Sequence, residues 1–203
     1  MDRVTIRKPD DWHLHVRDGA MLKAALPFTA RHFGRAIIMP NLLPPVCTVK
    51  EAEGYRERIR KALPAGTKFE PLMTCYMTHD TAPDEVETGF RAGVFPGVKI
   101  YPANVTTNSA AGVSDYRKIR RVIERMEKIG MRLLIHGEVI DPEVDVFDRE
   151  AVFIEHELAP LTRDFPGLKV ILEHVSSKTG VDFVRSKAGQ VGVTYGLALE
   201  LAP

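Results

Sequence analysis

The stretch RLLIHGE, Arg132–Glu138, is an apolar run that ends on a histidine. LKVILEH, Leu168–His174, repeats the pattern, and its His174 falls 38 residues after His136. Working outward, GVKIYP (Gly97–Pro102) places Lys99 37 residues before His136, and RAIIMPN (Arg35–Asn41) ends on Asn41, 58 residues before Lys99. FEPLMTCYM (Phe69–Met77) fills that longer step and QVGVTYG (Gln190–Gly196) follows the last histidine. DWHLHVRDG (Asp11–Gly19) opens the series with His13 and His15. Several of these runs are apolar nearly throughout, as parallel strands covered on both faces are.

Helical patterns separate the runs. Thr48 with Glu51 forms a capping box opening a helix through about Leu63. Pro83, Asp84 and Glu85 suit the first turn of another, with Gly93 just past its end. From about Ser114 to Ile129, Ile119, Val122, Ile123, Met126 and Ile129 form one apolar face, and Gly130 stops the helix. Its Arg117, Lys118, Arg120, Arg121 and Arg125 read as a solvated face. Weaker patterns cover Met21–Phe33, Phe147–Phe165 and Ser176–Ala188.

Seven strands alternating with six helices imply a parallel sheet with right-handed crossovers. One polar group recurs about once per βα unit, near each strand's C-terminal end. In a barrel those ends converge on one mouth, where active sites lie. An open sheet would spread them apart, and no G-x-G-x-x-G or P-loop follows any strand. The expected fold is therefore α/β, a TIM (β/α)8 barrel. About seven of its eight strands are expected here, in a single domain spanning residues 1–203.

The chain has 203 residues, a net charge of +1 and 44% hydrophobic residues, enough for a substantial core. Balanced charge gives no electrostatic reason to expect a nucleic-acid or membrane partner. No apolar run approaches the roughly 20 residues of a membrane span. Two cysteines, Cys47 and Cys75, are too few for a disulfide framework and fit a reducing cytosol.

On a strand, His13 and His15 share one face, which in a barrel points inward. Trp12, Leu14 and Val16 share the other and are expected beneath the helices. The histidines suit a metal, or form a hydrogen-bonded core pair. Lys99, between Val98 and Ile100, is costly as a bare buried ammonium. It can pair with Glu138 or Glu173, serve as a Schiff-base amine, or add CO2 to form a carbamate that bridges metals. Of the strand carboxylates, Glu138 alone is expected at the mouth. His32, His79 and His156 read as surface or local structural groups.

DWHLHVRDG, IIMPN, VKIYPANVTTNS, LLIHGE and LEHVSSK, in this order, closely resemble the dihydroorotases of the short-chain bacterial type, in the amidohydrolase superfamily. The resemblance runs from about Val4 to Thr194. It implies two zinc ions bridged by carboxylated Lys99, with His13 and His15 on the first metal and His136 and His174 on the second. It implies substrate contacts from His15, Arg17, Asn41 and His136. It also implies a loop carrying Thr106 and Thr107 that closes over the substrate. The implied reaction interconverts dihydroorotate and N-carbamoyl-aspartate in de novo pyrimidine biosynthesis, in a cytoplasmic homodimer.

The family's acid/base aspartate lies on strand eight, so no catalytic residue of that kind is expected here. The tail TYGLALELAP leaves the family pattern. On that reading the chain lacks the last strand and helix and is expected to be poorly active alone. The alternatives are a non-catalytic binding or scaffold protein on a barrel-derived fold, or another cyclic-amide hydrolase of the superfamily.

Overall fold

The computed structural model describes residues 5–194. Seven strands appear among them: β1 (Asp10–Leu14), β2 (Arg35–Ile38), β3 (Glu70–Tyr76), β4 (Gly97–Ile100), β5 (Arg132–His136), β6 (Lys169–Glu173) and β7 (Val191–Thr194). They pair in sequence order, and every pairing is parallel. A helix between successive parallel neighbours is the winding of a TIM barrel, seven strands of which lie among the described residues. Residues 195–203, which hold the end of the QVGVTYG run and nearly all of the divergent tail, lie outside the described residues.

The helices are α1 (Gly19–His32), α2 (Val49–Ala62), α3 (Pro83–Arg91), α4 (Arg120–Ile129), α5 (Arg149–Phe153), α6 (Ala159–Asp164) and α7 (Lys178–Ser186). The capping box of α2 is formed: Glu51 N donates to Thr48 Oγ1, and the Glu51 carboxylate accepts from Thr48 N at 2.9 Å. Gly130 ends α4 in the left-handed conformation, φ 70°, which costs glycine nothing. The single helix expected over 147–165 is instead α5 and α6 joined by a π-helical turn, Ile154–Leu158. Pro160 follows that turn. It has no N–H and its ring crowds the preceding turn, and the wider turn relieves both problems.

Strand alternation makes two apolar layers. Ala36, Ile38, Val98, Leu133, Ile135 and Leu172 face outward and pack under the helices with Leu26, Tyr55, Ile59 and Met126. Replacing one of these fully buried residues, such as Ile135, by Ala would cost about 2–5 kcal/mol. Ile37, Leu72, Leu134, Ile171 and Val193 line the inner face. They lie one layer toward the strand N-termini from the polar groups.

Trp12 departs from the expectation. From Asp11 to Leu14 is three steps on β1 against two on β2, from Ala36 to Ile38, so β1 carries a bulge. The extra residue breaks the alternation. Trp12 joins the inner-face residues instead of packing beneath the helices. It is 45% exposed, with the Arg35 guanidinium 5.6 Å from its ring centroid. Val16 is buried and Leu14 packs against the core, as expected. Among the described residues no helix is long and apolar enough to cross a membrane.

Candidate metal centre

The polar groups of the inner face meet around Glu173, the last residue of β6. Its strand neighbours in register are His136 and Thr194. Glu173 is fully buried and accepts a hydrogen bond from the equally buried Lys99 ammonium. Its Oε1 lies 2.9 Å from Nδ1 of His13. The two atoms are close but not in hydrogen-bond geometry, and the negative charge there favours the tautomer with its proton on Nδ1 and a lone pair on Nε2. That Nε2 faces Nε2 of His15 at 3.1 Å.

His174 follows Glu173 directly, and alternation would turn it outward. Its backbone instead takes a positive φ of 43°, outside the usual range for a residue with a side chain. Its N–H reaches Thr194 Oγ1 at 3.4 Å. The ring then sits 4.5 Å from that of His136 and 5.3 Å from that of His13, centroid to centroid. Glu138 lies beside His136, with Oε2 3.4 Å from Nε2.

Glu138 is therefore not the only strand carboxylate at the centre. Sequence reasoning offered Glu173 merely as one partner for Lys99. A signal for its larger role was present: within LKVILEH, strict alternation puts Glu173, not His174, on the inner face with Ile171. The left-handed turn that adds His174 has no sequence signature.

Burial pushes the His15 imidazole down to about 3, and the charges of His13, Arg17 and Lys99 add to the effect. Burial likewise lowers His174 to about 3, with Lys99 contributing. Both rings are neutral near pH 7, the form that ligates metals. Burial opposes ionisation of Glu173, but the Lys99 charge and the contact with His13 hold it down at about 2. Lys99 itself is lowered by burial, against the pull of Glu173.

This donor set fits metal. Zinc–nitrogen bonds of about 2.0–2.1 Å in tetrahedral geometry put two ligand nitrogens about 3.3 Å apart, close to the 3.1 Å between His13 and His15. Among the described residues no three His, Cys, Asp or Glu side chains form a preformed ligand group. The arrangement is two histidine pairs, with the Lys99 charge felt by both His15 and His174. Lys99 here takes Glu173 as its ion-pair partner, one of the alternatives its sequence position leaves open.

The rim is built by the segments that follow β1, β2 and β4. Arg17 has φ 57°, its carbonyl accepts from Tyr55 OH at 2.6 Å, and its Nη1 reaches the Asn41 carbonyl at 3.4 Å. Asn41 is buried and donates through Nδ2 to the Thr107 carbonyl at 2.9 Å. Asn108 Nδ2 returns a bond of 3.0 Å to the Asn41 carbonyl. Thr106 and Thr107 are exposed on that tethered loop, and Thr106 N bonds Ser109 Oγ at 2.9 Å. His32 and His156 are exposed, while His79 accepts from Ser114 N at 3.1 Å. None of these three joins the centre.

Comparison with known proteins agrees with the parallel barrel. Residues 10–199 match the model of the amidohydrolase family, and the chain belongs to that family. It is similar to the dihydroorotase of Ralstonia nicotianae, 57% identical over 194 residues, which are 96% of this chain and 56% of that protein. In structure it is similar to the dihydroorotase of Campylobacter jejuni, with a TM-score of 0.87, 35% identity, and coverage of 96% of this chain and 56% of that one. It is also similar to the dihydroorotase of Saccharomyces cerevisiae solved in complex with 5-fluoroorotic acid. There the TM-score is 0.82, the identity 34%, and the coverage 96% of this chain and 57% of that one. The chain spans about half the length of the relatives it matches.

Proposed function

We propose that this chain carries the metal-holding part of a dihydroorotase. The enzyme would be cytoplasmic, homodimeric and zinc-dependent, interconverting dihydroorotate and N-carbamoyl-aspartate in pyrimidine biosynthesis. The observation that carries this reading is the meeting of His13, His15, His136 and His174 around Lys99 and Glu173, with Arg17 at the rim.

His13 and His15 would hold one zinc and His136 and His174 the other, with Lys99 as a carbamate between them. Bound zinc would supply Lewis acidity toward the ring amide and toward water. The Glu173 charge beside Nδ1 would favour the His13 tautomer that leaves Nε2 open. Glu138 stands against His136. The Arg17 guanidinium suits paired hydrogen bonds to the substrate carboxylate. Asn41, with its donor already on Thr107, holds the loop of Thr106 and Thr107 against the mouth. A closed loop excludes water and strengthens these interactions.

Selectivity for the carboxylate tests the reading. The zinc-loaded chain is titrated by calorimetry with dihydroorotate and with dihydrouracil, the same ring without its carboxylate. Dihydroorotate should bind at least about tenfold tighter, and Arg17→Met should erase the difference. Equal binding of the two rings by the unsubstituted chain would contradict the proposal.

A further inference from the structure

Tyr101 is a side chain whose chemistry nothing above uses. It follows Lys99 on the same inner face and is 1% exposed. Its ring stacks on Tyr76 at 5.2 Å and lies 6.3 Å from the His136 ring. The Lys99 ammonium sits over its face, 4.7 Å from the centroid. Its hydroxyl is buried and has no hydrogen-bond partner among the described residues. The Glu173 carboxylate acts on it electrostatically. The neighbouring Tyr76 hydroxyl, by contrast, points to the loop and reaches the Asn108 carbonyl at 3.4 Å.

A buried hydroxyl without a partner is destabilising, because its lost hydration is not replaced. A fold keeps such a group where something else satisfies it. The Tyr101 ring lies beside His136, at the place that would hold the reacting end of the substrate. A phenol is protonated at neutral pH and can donate.

We propose that Tyr101 donates its hydroxyl to an oxygen of the bound cyclic amide, as a substrate-contacting residue beside the metal centre. This rests on the dihydroorotase reading and adds to it a contact that no metal supplies. It predicts that the ring substrate, not the fold, completes the hydrogen bonding of Tyr101.

Tyr101→Phe and Tyr76→Phe are compared with the unsubstituted, zinc-loaded chain. Three quantities are read: Tm without ligand, zinc content, and the Kd of dihydroorotate by calorimetry. Tyr101→Phe should keep its zinc, keep or raise Tm, and bind dihydroorotate about tenfold more weakly. Tyr76→Phe should leave that Kd within about twofold. If Tyr101→Phe binds as tightly as the parent and loses Tm, the hydroxyl is a structural group and the proposal is overturned. If the parent chain itself shows no binding of dihydroorotate, the dihydroorotase reading fails, and this inference fails with it.

Discussion

Glu173 Oε1 and His13 Nδ1 stand 2.9 Å apart, while the other oxygen of the same carboxylate takes the Lys99 ammonium. One buried anion thus orients one imidazole and compensates one buried cation. Glu173→Gln separates these roles from simple space filling. The variant should bind zinc about 10–100-fold more weakly, because a histidine ligand loses its orienting carboxylate. It should also lose about 3–5 kcal/mol of stability, because a buried ammonium loses its counter-charge. Chelator competition and denaturant melts read the two effects separately. Unchanged zinc affinity would remove Glu173 from the site.

Lys99→Met alone should be destabilising for the mirror-image reason, leaving Glu173 charged in the core. Combining it with Glu173→Leu replaces the ion pair by apolar groups of similar size, which often restores stability. The double variant should recover most of the loss and still fail to retain zinc. Urea midpoints of the two single variants and the double variant form the cycle that measures the coupling. Additive losses would show that the pair is not coupled.

Acid should weaken the metal-free fold in a defined window. Unfolded, His15 and His174 take up protons near 6.5; folded, they resist until about 3. Between those values the unfolded chain binds more protons, so stability is fully present above pH 6.5 and falls as pH drops toward 3. The slope is about 1.4 kcal/mol per pH unit for each histidine that stays neutral. Glu173 adds a loss from 4.5 down to about 2. His174→Asn should flatten the slope between pH 6.5 and 4, because asparagine tolerates the positive φ and does not titrate. Thermal melts in chelator at several pH values check this, and an unchanged slope would count against it.

Asn41→Ala should release the loop between Tyr101 and Val113. It removes the bond from Nδ2 to the Thr107 carbonyl. Amide hydrogen exchange near Thr106–Ser109 should quicken while β2 and β3 stay protected. Exchange unchanged across the loop would mean that its internal bonds, such as Ser109 Oγ to the Thr106 carbonyl at 2.6 Å, suffice.

All seven strands and nearly every helix were legible, because apolar runs and helical faces repeat at the spacing the barrel imposes. The polar residues at strand ends were legible for the same reason. Three features were not, and each comes from a local break in periodicity. The bulge in β1 moved Trp12 to the inner face. The left-handed His174 let two adjacent residues both face inward. The π turn before Pro160 split a helix that reads as continuous. Asn41 was legible as a rim residue, but its bond to Thr107 joins positions 66 residues apart, and local pattern carries no such information.

The central claim is that the two histidine pairs hold metal. Zinc per chain, measured by elemental analysis after equilibration with zinc and removal of the excess, tests it most directly. The unsubstituted chain should retain zinc, and His136→Ala combined with His174→Ala should lose the share held by that pair. Equal zinc content in the two proteins would contradict the assignment of His136 and His174 as ligands.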